Sequence, residues 1–334
     1  MSALGTLRRQ GGVAVITALL LTTLAVTIVA SLFWQQQVQV RSMENQRLHL
    51  QTKWILRGAL DWARLVLRQD GMDSRTYTSL TAVWNTPLAE TRLDQYIERE
   101  RVEGEIFDAT LSGHIIDATS RYNLTNLARN GGVDAVQLGI YRRLLRNLQL
   151  DPVLAERTAK MVASAVDPTQ VRTEGEPPGG VAPQAPAPAA ARTSAPIALT
   201  GLDDLLAIQG YTPQVIDKLR EYVIVLPADA TTVNVNTAAP EVIAALVDGF
   251  SVSQANALVE RRKQAYYRQK SDFIQQLFGV PNPPPDGLFD VKSEYFLVLS
   301  RVRLDRAALD AEALVNRKLD DQTFKTSTVW VRQN

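Results

Sequence analysis

The chain has 334 residues, which leaves room for a membrane helix and one or two soluble domains. Its formal net charge of +1 gives no bulk electrostatic reason to expect nucleic acid as a partner. The absence of cysteine excludes disulfide scaffolds and cysteine-ligated metal sites. The two histidines, His49 and His114, are too isolated to predict a histidine-rich metal site. Because the sequence also carries no hydrolase, zinc-protease or nucleotide-binding motif, we expect no enzymatic activity.

The N-terminal region contains an uncharged apolar segment at 13–34, VAVITALLLTTLAVTIVASLFW. About 20 apolar residues are enough to cross a bilayer as a helix. Arg8 and Arg9 precede the segment and favour a cytoplasmic N-terminus. A secretory signal is cleaved after its apolar segment, whereas a cut between Gly12 and Val13 would leave the helix attached. The alternative is a plain signal anchor that is not processed.

The leader sequence RRQGG followed by VAVIT resembles that of type IV pilins and type II secretion pseudopilins. Counted from Val13, the fifth residue is Thr17, where most members of that superfamily carry Glu. A carboxylate at bilayer depth is unfavourable unless it is paired, and the resemblance implies that the Glu pairs with the terminal amine of a neighbouring subunit. Absence of this Glu is typical of minor pseudopilin K. The alternative is that Thr17 is a tolerated small polar residue in a membrane helix.

The helix is predicted to continue beyond the apolar segment. No proline occurs between residues 35 and 69, and Gly58 is the only glycine there. Apolar residues recur at three- and four-residue steps, which indicates an amphipathic helix. The sequence therefore predicts one helix over 13–69, followed by a loop over 70–90. The apolar stripe of its soluble half requires a cover, and a sheet is expected to provide it.

Several short segments have the character of strands. Residues 103–109 and 114–118 alternate in polarity and predict a hairpin. Residues 295–304 and 326–331 predict two further strands, which we expect to share one sheet with the hairpin. The intervening segment 305–317 is compatible with a short helix or with a strand followed by a turn.

The long region between these strands is mostly helical in pattern. Helices are predicted near 133–149 and 152–165, and the Pro/Ala-rich segment 176–196 is expected to form a mobile loop. Two units with a helix, a glycine-containing turn and a second helix follow at 199–225 and 234–280. Candidate N-caps in these units are Asp203 and Thr237.

The second unit resembles a helix-hairpin-helix DNA module, which binds phosphate through backbone N–H groups and basic side chains. However, the hairpin reads Asp248-Gly249-Phe250-Ser251, so the second glycine is missing and a carboxylate precedes the turn. We therefore favour a packing unit of the sterile-alpha-motif kind, and a membrane-anchored DNA receptor is the alternative function. The basic residues of the unit are Arg261, Arg262, Lys263, Arg268 and Lys270.

The order of these features resembles minor pseudopilin K of type II secretion systems over essentially the whole chain. The more specific motifs are DATSRYNLTNL after the predicted hairpin and VNVNTA in the second unit. The resemblance implies an α+β fold in which a pilin-like long N-terminal helix packs on an antiparallel sheet. A large all-helical domain with two SAM- or helix-hairpin-helix-like units is inserted between the strands.

The resemblance also implies the function and the partners. The protein would be a structural subunit at the tip of the pseudopilus, anchored in the inner membrane by one span with its C-terminal domain in the periplasm. It would support export of proteins from the periplasm across the outer membrane. Its partners would be minor pseudopilins I and J, minor pseudopilin H with the rest of the pseudopilus, and the prepilin peptidase that cleaves and methylates it. Nucleic acid is not expected.

The expected domain organisation follows from the same resemblance. The ranges are a prepilin leader at 1–12, the N-terminal helix at 13–69 with its transmembrane part at 13–34, the first part of the pilin-like domain at 70–123, the inserted helical domain at 124–288, and the C-terminal strands at 289–334.

A calcium site is a further implication of the resemblance, because a family member binds calcium in an acidic loop of the inserted domain. The corresponding loop here contains Asp167, Glu174 and Glu176. Calcium takes six to eight oxygen ligands, so three carboxylates are a sparse set. The alternative is a solvated acidic turn.

Overall fold

The computed structural model describes residues 11–95, 108–165, 198–227, 231–277, 279–320 and 322–333. Their helices, in chain order, are α1 (Gly11–Asp73), α2 (Ala135–Asn147), α3 (Val153–Ala165), α4 (Pro213–Leu219), α5 (Pro240–Leu246), α6 (Val252–Gln264) and α7 (Lys270–Gln276). Their strands are β1 (Leu88–Arg92), β2 (Ala109–Asp117), β3 (Tyr122–Asn123), β4 (Ala128–Arg129), β5 (Gly132–Val133), β6 (Val223–Ile224), β7 (Val233–Asn234), β8 (Phe289–Asp290), β9 (Tyr295–Leu304), β10 (Ala307–Asp320) and β11 (Thr323–Gln333).

Helix α1 is a single helix of 63 residues, which is about 95 Å long at 1.5 Å per residue. The predicted long helix is therefore present, and it ends four residues beyond the predicted end at 69. It contains one stretch that is long and apolar enough to cross a membrane, with a mean hydropathy of 2.4 over 18 residues. None of that stretch is buried by the other residues that the structure describes.

The strands predicted at both ends of the chain form one antiparallel sheet, as expected. The sheet has five strands in the order β1-β2-β9-β10-β11. The chain continues from β9 into β10, so the strand interpretation of 305–317 is the correct one.

The predicted hairpin turn around Gly113 is wrong, because β2 runs through this residue as one continuous strand. A Cβ at Gly113 would lie 2.4 Å from the carbonyl oxygen of Leu299, so the glycine permits close approach of β9 instead of making a turn. The antiparallel partner of β2 on its other side is β1, which occupies the end of the predicted loop at 70–90. The remainder of the predicted first hairpin strand lies outside the described residues.

The soluble half of α1 packs on one face of this sheet. Trp84 lies in the same core and makes an edge-to-face contact with Phe296, with 5.4 Å between ring centroids. The sheet therefore covers part of the apolar stripe of the helix, whereas Trp54, Trp62 and Leu65 of that stripe stay exposed. The buried residues of the helix and the sheet in this core are Leu56, Leu60, Ala63, Leu67, Ile115, Phe296, Val298, Val302, Leu309, Ala311, Ala313 and Val315.

The chain between β2 and β9 forms a separate inserted region with its own core. This region contains α2 to α7, but it is not all-helical as predicted. Three two-residue strand pairs also occur there, β3 with β6, β4 with β5 and β7 with β8. In the largely buried pairs β3 with β6 and β7 with β8, the pairing satisfies backbone groups that would otherwise be buried without partners. The domain boundaries at 124 and 288 stay predictions.

The inserted region lies at the end of the molecule that is farthest from the apolar segment. It leaves the sheet at Asp117 and returns at β9, where Asp117 and Phe296 are register partners. The backbone N–H of Thr78, just after α1, donates to the carbonyl of Val291 at 2.8 Å. Since 59 residues separate Gly11 from Asp70, this junction is about 88 Å along the axis from the start of α1.

Candidate functional site

The apolar half of α1 exposes its side chains along its length, as a helix embedded in lipid or between other helices would. Thr17 lies there, and its hydroxyl donates to the carbonyl of Ala14 at 3.0 Å. Thr22 and Thr27 make the same bond to the carbonyl three residues earlier. Hydroxyls satisfied within the helix are compatible with a bilayer, where unsatisfied polar groups are unfavourable.

The predicted processing residues Gly12 and Val13 fall in the first turn of α1. Processing at this position stays a prediction.

The junction between sheet and inserted region contains a buried carboxylate with five hydrogen bonds. Oδ1 of Asp117 accepts from the backbone N–H and the hydroxyl of Thr119 at 2.9 and 2.7 Å. Oδ2 accepts from Nδ2 of Asn234 at 3.1 Å and from the hydroxyls of Thr237 and Ser293, each at 2.5 Å. All five residues are buried. This carboxylate joins the end of β2, the VNVNTA motif and the return to β9 in one site.

A buried ion pair adjoins this carboxylate and fixes the end of α1. Nη1 of Arg317 donates to Oδ2 of Asp70 at 2.6 Å and to the carbonyl of Leu67 at 3.1 Å. Nη2 donates to the hydroxyl of Thr78 at 2.9 Å and to the carbonyl of Ser293 at 3.2 Å. A buried guanidinium is tolerated only when it is paired and hydrogen-bonded in this way.

The surroundings of this ion pair are aromatic and poorly solvated. The guanidinium carbon of Arg317 lies 4.6 Å from the ring centroid of Phe296 and 5.7 Å from that of Phe324. Burial raises the pKa of Asp70 above its usual value, although the hydrogen bond and charge of Arg317 act in the opposite direction. The end of α1 is therefore held by a contact that spans 247 residues of sequence.

The asparagines of the DATSRYNLTNL motif hold the chain where it enters the inserted region. Oδ1 of Asn123 accepts from the backbone N–H of Leu226 at 3.0 Å, and its Nδ2 donates to the hydroxyl of Thr231 at 3.0 Å. Asn126 pairs with the backbone of Thr231, donating at 2.8 Å and accepting at 3.0 Å. Each side-chain amide substitutes for a backbone partner, which explains why the motif contains asparagine at these positions.

The VNVNTA motif has the same structural character. Asn236 pairs with the backbone of Tyr267, accepting from its N–H at 3.0 Å and donating to its carbonyl at 2.8 Å. The prediction that Thr237 is an N-cap is wrong, because the N-cap of α5 is Ala239 and the Thr237 hydroxyl donates to Asp117. The DATSRYNLTNL and VNVNTA motifs are therefore in contact, because Asp117 of the first accepts hydrogen bonds from Asn234 and Thr237 of the second.

The prediction that Asp203 is an N-cap is also wrong. The residue before the 3-10 turn at 202–207 is Gly201, and Asp203 instead pairs with Arg220 at 2.9 Å. The neighbouring Asp204 accepts from the backbone N–H groups of Thr200 and Gly201 at 2.7 and 2.9 Å. Partial desolvation raises the pKa of Asp204, but these hydrogen bonds outweigh it and leave the pKa below its usual value.

Four of the five basic side chains of the helix-hairpin-helix-like unit contact other groups of the protein. Arg262 is buried, its Nη1 donates to the carbonyl of Val235 at 2.7 Å, and burial lowers its pKa to about 10. The other three are Lys263 with Glu260 at 2.6 Å, Lys270 with Asp290 at 3.5 Å, and Arg261 with Gln276 at 3.2 Å. The side chain of Arg268 is exposed.

The hairpin of this unit also has the predicted acidic character. Gly249 takes a φ of +70° in the turn between α5 and α6, and Asp248 beside it pairs with Arg143 of α2 at 3.3 Å. The turn therefore packs against the neighbouring helix through its carboxylate. This geometry favours a structural role over phosphate binding.

The predicted calcium ligands Asp167, Glu174 and Glu176 lie outside the described residues. Within the residues that are described, no group of three or more His, Asp or Glu side chains could hold a metal ion. His49 is exposed on α1 and His114 is exposed on β2. The calcium site stays a prediction.

The chain matches known families and proteins in the regions just described. Residues 120–228 and 233–292 match two family models, both described as type II secretion system protein K. Together they cover 120–292 almost continuously, which is just over half of the chain. They include most of the DATSRYNLTNL motif and the whole of VNVNTA.

Curated relatives carry the same description. Type II secretion system protein K of Pseudomonas aeruginosa is 29% identical over 308 residues, with 89% of this chain and 86% of the relative covered. The protein of that description from Aeromonas hydrophila is 25% identical over 326 residues, with coverage of 91% and 92%.

A solved structure has the same fold. It is a chain of the GspK-GspI-GspJ complex from the type 2 secretion system of enterotoxigenic Escherichia coli, with a TM-score of 0.63 and 17% identity. The match covers 87% of this chain and 99% of that one. The chain therefore belongs to the family of type II secretion system protein K and is a minor pseudopilin of type II secretion.

Proposed function

We propose that this minor pseudopilin caps the tip of the pseudopilus and so supports export of proteins from the periplasm across the outer membrane. The observation that carries this proposal is the position of the inserted region. It lies at the end of α1 farthest from the apolar segment, beside the Asp70–Arg317 ion pair. A subunit that stacked above this one would need that space.

The attachment of the inserted region supports the same conclusion. The Asp117 carboxylate and the clamps of Asn123 and Asn126 hold both the entering and the returning chain. A region held only by flexible linkers could swing aside, whereas one attached by a buried hydrogen-bond network keeps its position. The inserted region is thus built as a fixed obstacle.

The N-terminal half of the chain supplies the anchor. The apolar part of α1 crosses the inner membrane with the basic leader in the cytoplasm and the folded region in the periplasm. Prepilin peptidase cleaves between Gly12 and Val13 and methylates the new N-terminus. A tip subunit has no neighbour above it whose amine needs a carboxylate, and Thr17 in place of Glu agrees with this position.

The partners are the pilin-like minor pseudopilins I and J, and through them minor pseudopilin H and the rest of the fibre. The similarity to a chain of the GspK-GspI-GspJ complex supports this assignment. The function requires assembly and no chemical step, so we propose a structural and not an enzymatic role.

The test is the number of copies of the chain on each fibre. Fibres assembled with all minor pseudopilins are sheared, sorted by length, and analysed by quantitative mass spectrometry. A capping subunit stays at a constant number per fibre while the major subunit increases with length. Copy number that increases in proportion to length would show a shaft subunit and contradict the proposal.

A further inference from the structure

A cavity of about 660 Å³ lies at the junction between the sheet and the inserted region. Among the segments that line it are the chain just after α1, the return from the inserted region to β9, and the end of β10. Each of these three segments contributes one cationic side chain to the wall, and the three are Arg75, Lys292 and Lys318. We call them the cation triad.

Backbone hydrogen bonds bring the three segments of the triad together. The N–H of Thr78 donates to the carbonyl of Val291 at 2.8 Å and joins the chain after α1 to the return segment. The N–H of Arg317 donates to the carbonyl of Glu294 at 2.6 Å and joins the end of β10 to the same return segment. Each member of the triad is at most three residues from one of these bonds, so all three line the cavity from neighbouring backbones.

The triad has more positive charge than the cavity balances. All three side chains are exposed, and none forms an ion pair or a side-chain hydrogen bond with another described residue. Two other charged residues of the wall are neutralised elsewhere, because Asp290 pairs with Lys270 at 3.5 Å and Arg317 with Asp70 at 2.6 Å. Of the described residues that line the cavity, Glu294 is the carboxylate that remains. Three cations and one carboxylate leave a charge of +2.

The wall also contains hydrogen-bond donors that the protein does not use. The side chain of Arg317 is 3% exposed, and its Nε is buried without a hydrogen-bond partner among the described residues. The hydroxyl of Thr232 lines the cavity and likewise makes no hydrogen bond within the described part of the chain. A buried donor without an acceptor is unfavourable, and a cleft lined by one sign of charge attracts ions of the opposite sign. The cavity therefore has the properties of an anion site.

The number and placement of the cations favour one class of anion. A carboxylate presents two oxygens from a single carbon atom, which suits one or two neighbouring cations. A phosphate group carries about −1.5 to −2 charges at neutral pH and presents three acceptor oxygens in different directions. It can therefore face cations that come from three separate segments. Arginine and lysine are also common ligands of phosphate in proteins.

We infer that the cation triad binds a phosphate group, which belongs to a free phosphate ion or to the headgroup of a phospholipid. The bound phosphate ties the end of α1, the return to β9 and the end of β10 to one another, and so strengthens the attachment of the inserted region. This inference goes beyond the capping role and does not depend on it. Since the end of α1 at Asp70 is about 54 Å beyond Trp34, a phospholipid at this site would belong to a bilayer other than the one that α1 spans.

Isothermal titration calorimetry of the full-length chain in a maltoside detergent, which contains no phosphate, tests the site directly. We expect inorganic phosphate to bind the wild type with a Kd of about 1 mM or tighter. Lys292→Gln combined with Lys318→Gln should weaken binding at least about tenfold, because two of the three cations are lost. Replacement of both residues by arginine should retain binding. Lys218→Gln, an exposed lysine of α4 that does not line the cavity, is the matched control and should change the Kd by less than about twofold.

Two further titrants identify the source of the phosphate. Glycerophosphoglycerol is the phosphodiester headgroup of phosphatidylglycerol without its acyl chains. If it binds at least as tightly as inorganic phosphate, the ligand is a phospholipid headgroup, whereas weaker binding identifies free phosphate. Acetate at the same ionic strength tests for a general anion effect, and we expect it not to bind.

Thermal unfolding provides a readout of the attachment. At ten times its Kd, phosphate should raise the Tm of the wild type by about 3 °C or more relative to chloride at equal ionic strength. The variant with both lysines replaced by glutamine should show no such shift. Its circular dichroism spectrum without phosphate should match that of the wild type, because both side chains are exposed.

Three results would overturn the inference. These are no binding of phosphate by the folded wild type, equal binding by the double glutamine variant, and binding of acetate as tight as that of phosphate. None of them bears on the capping role, which the copy number on each fibre tests separately.

Discussion

Removal of the Asp117 carboxylate tests whether the buried junction holds the inserted region on the sheet. In Asp117→Ala, the hydroxyls of Thr119 and Ser293 lose the acceptor that they bind at 2.7 and 2.5 Å. An unsatisfied buried donor costs about 1–3 kcal/mol. Two such donors, with partial loss at Asn234 and Thr237, give a destabilisation of about 4 kcal/mol.

The assay is thermal unfolding of the full-length chain in detergent, and circular dichroism monitors the loss of structure. At about 2–4 °C per kcal/mol for a large domain, Asp117→Ala should lower the Tm by roughly 8 °C or more. Asp310→Ala is the matched control, because Asp310 forms an exposed ion pair with Arg301 at 2.7 Å. Exposed pairs contribute about 0–1 kcal/mol. If Asp117→Ala unfolds within 2 °C of the control, the junction does not stabilise the protein as described.

The remaining predictions concern other parts of the chain. Gly71→Ala should destabilise the protein by about 1–3 kcal/mol, because its Cβ would lie 2.7 Å from the Phe324 ring. Gly58→Ala in the same helix should instead stabilise it by up to about 1 kcal/mol in urea unfolding, since a Cβ there meets no other group among the described residues. The folded pKa of Asp204 lies below its ordinary value of 3.8, so its stability contribution is present above that pH and is lost as pH falls through the folded pKa. The urea midpoints of wild type and Asp204→Asn should therefore differ at neutral pH and converge in acid; a gap that persists in acid would contradict this. Thr17→Glu should leave secretion nearly unchanged in a reporter assay, and a severe defect would argue against the tip position.

Local sequence patterns were sufficient for the long helix and for strands β9 and β11 of the sheet. A stretch without proline, an apolar period and a charge-free segment are properties of neighbouring residues, and they predicted α1 to within four residues of its end. The strand at 295–304 was equally clear because alternation and β-branched residues are local. Gly113 was misread, since a glycine in a strand resembles a turn signal when the close approach of β9 is unknown.

The junction could not be predicted because its members are far apart in sequence. Asp117 and Ser293 are separated by 176 residues, and Arg317 and Asp70 by 247. Thr237 before a helix has the local pattern of an N-cap, and only the folded structure shows that its hydroxyl is used by Asp117. Likewise, the basic residues after α5 resembled a phosphate-binding patch until the partners of Arg262 and Lys263 were visible.

The position of the chain on the assembled fibre tests the central claim most directly. Val136→Cys places a single thiol on an exposed site of the inserted region in a chain with no other cysteine. Fibres assembled with this variant are labelled with nanogold and imaged by electron microscopy. The account predicts gold at one end of each fibre, whereas gold distributed along the shaft would contradict it.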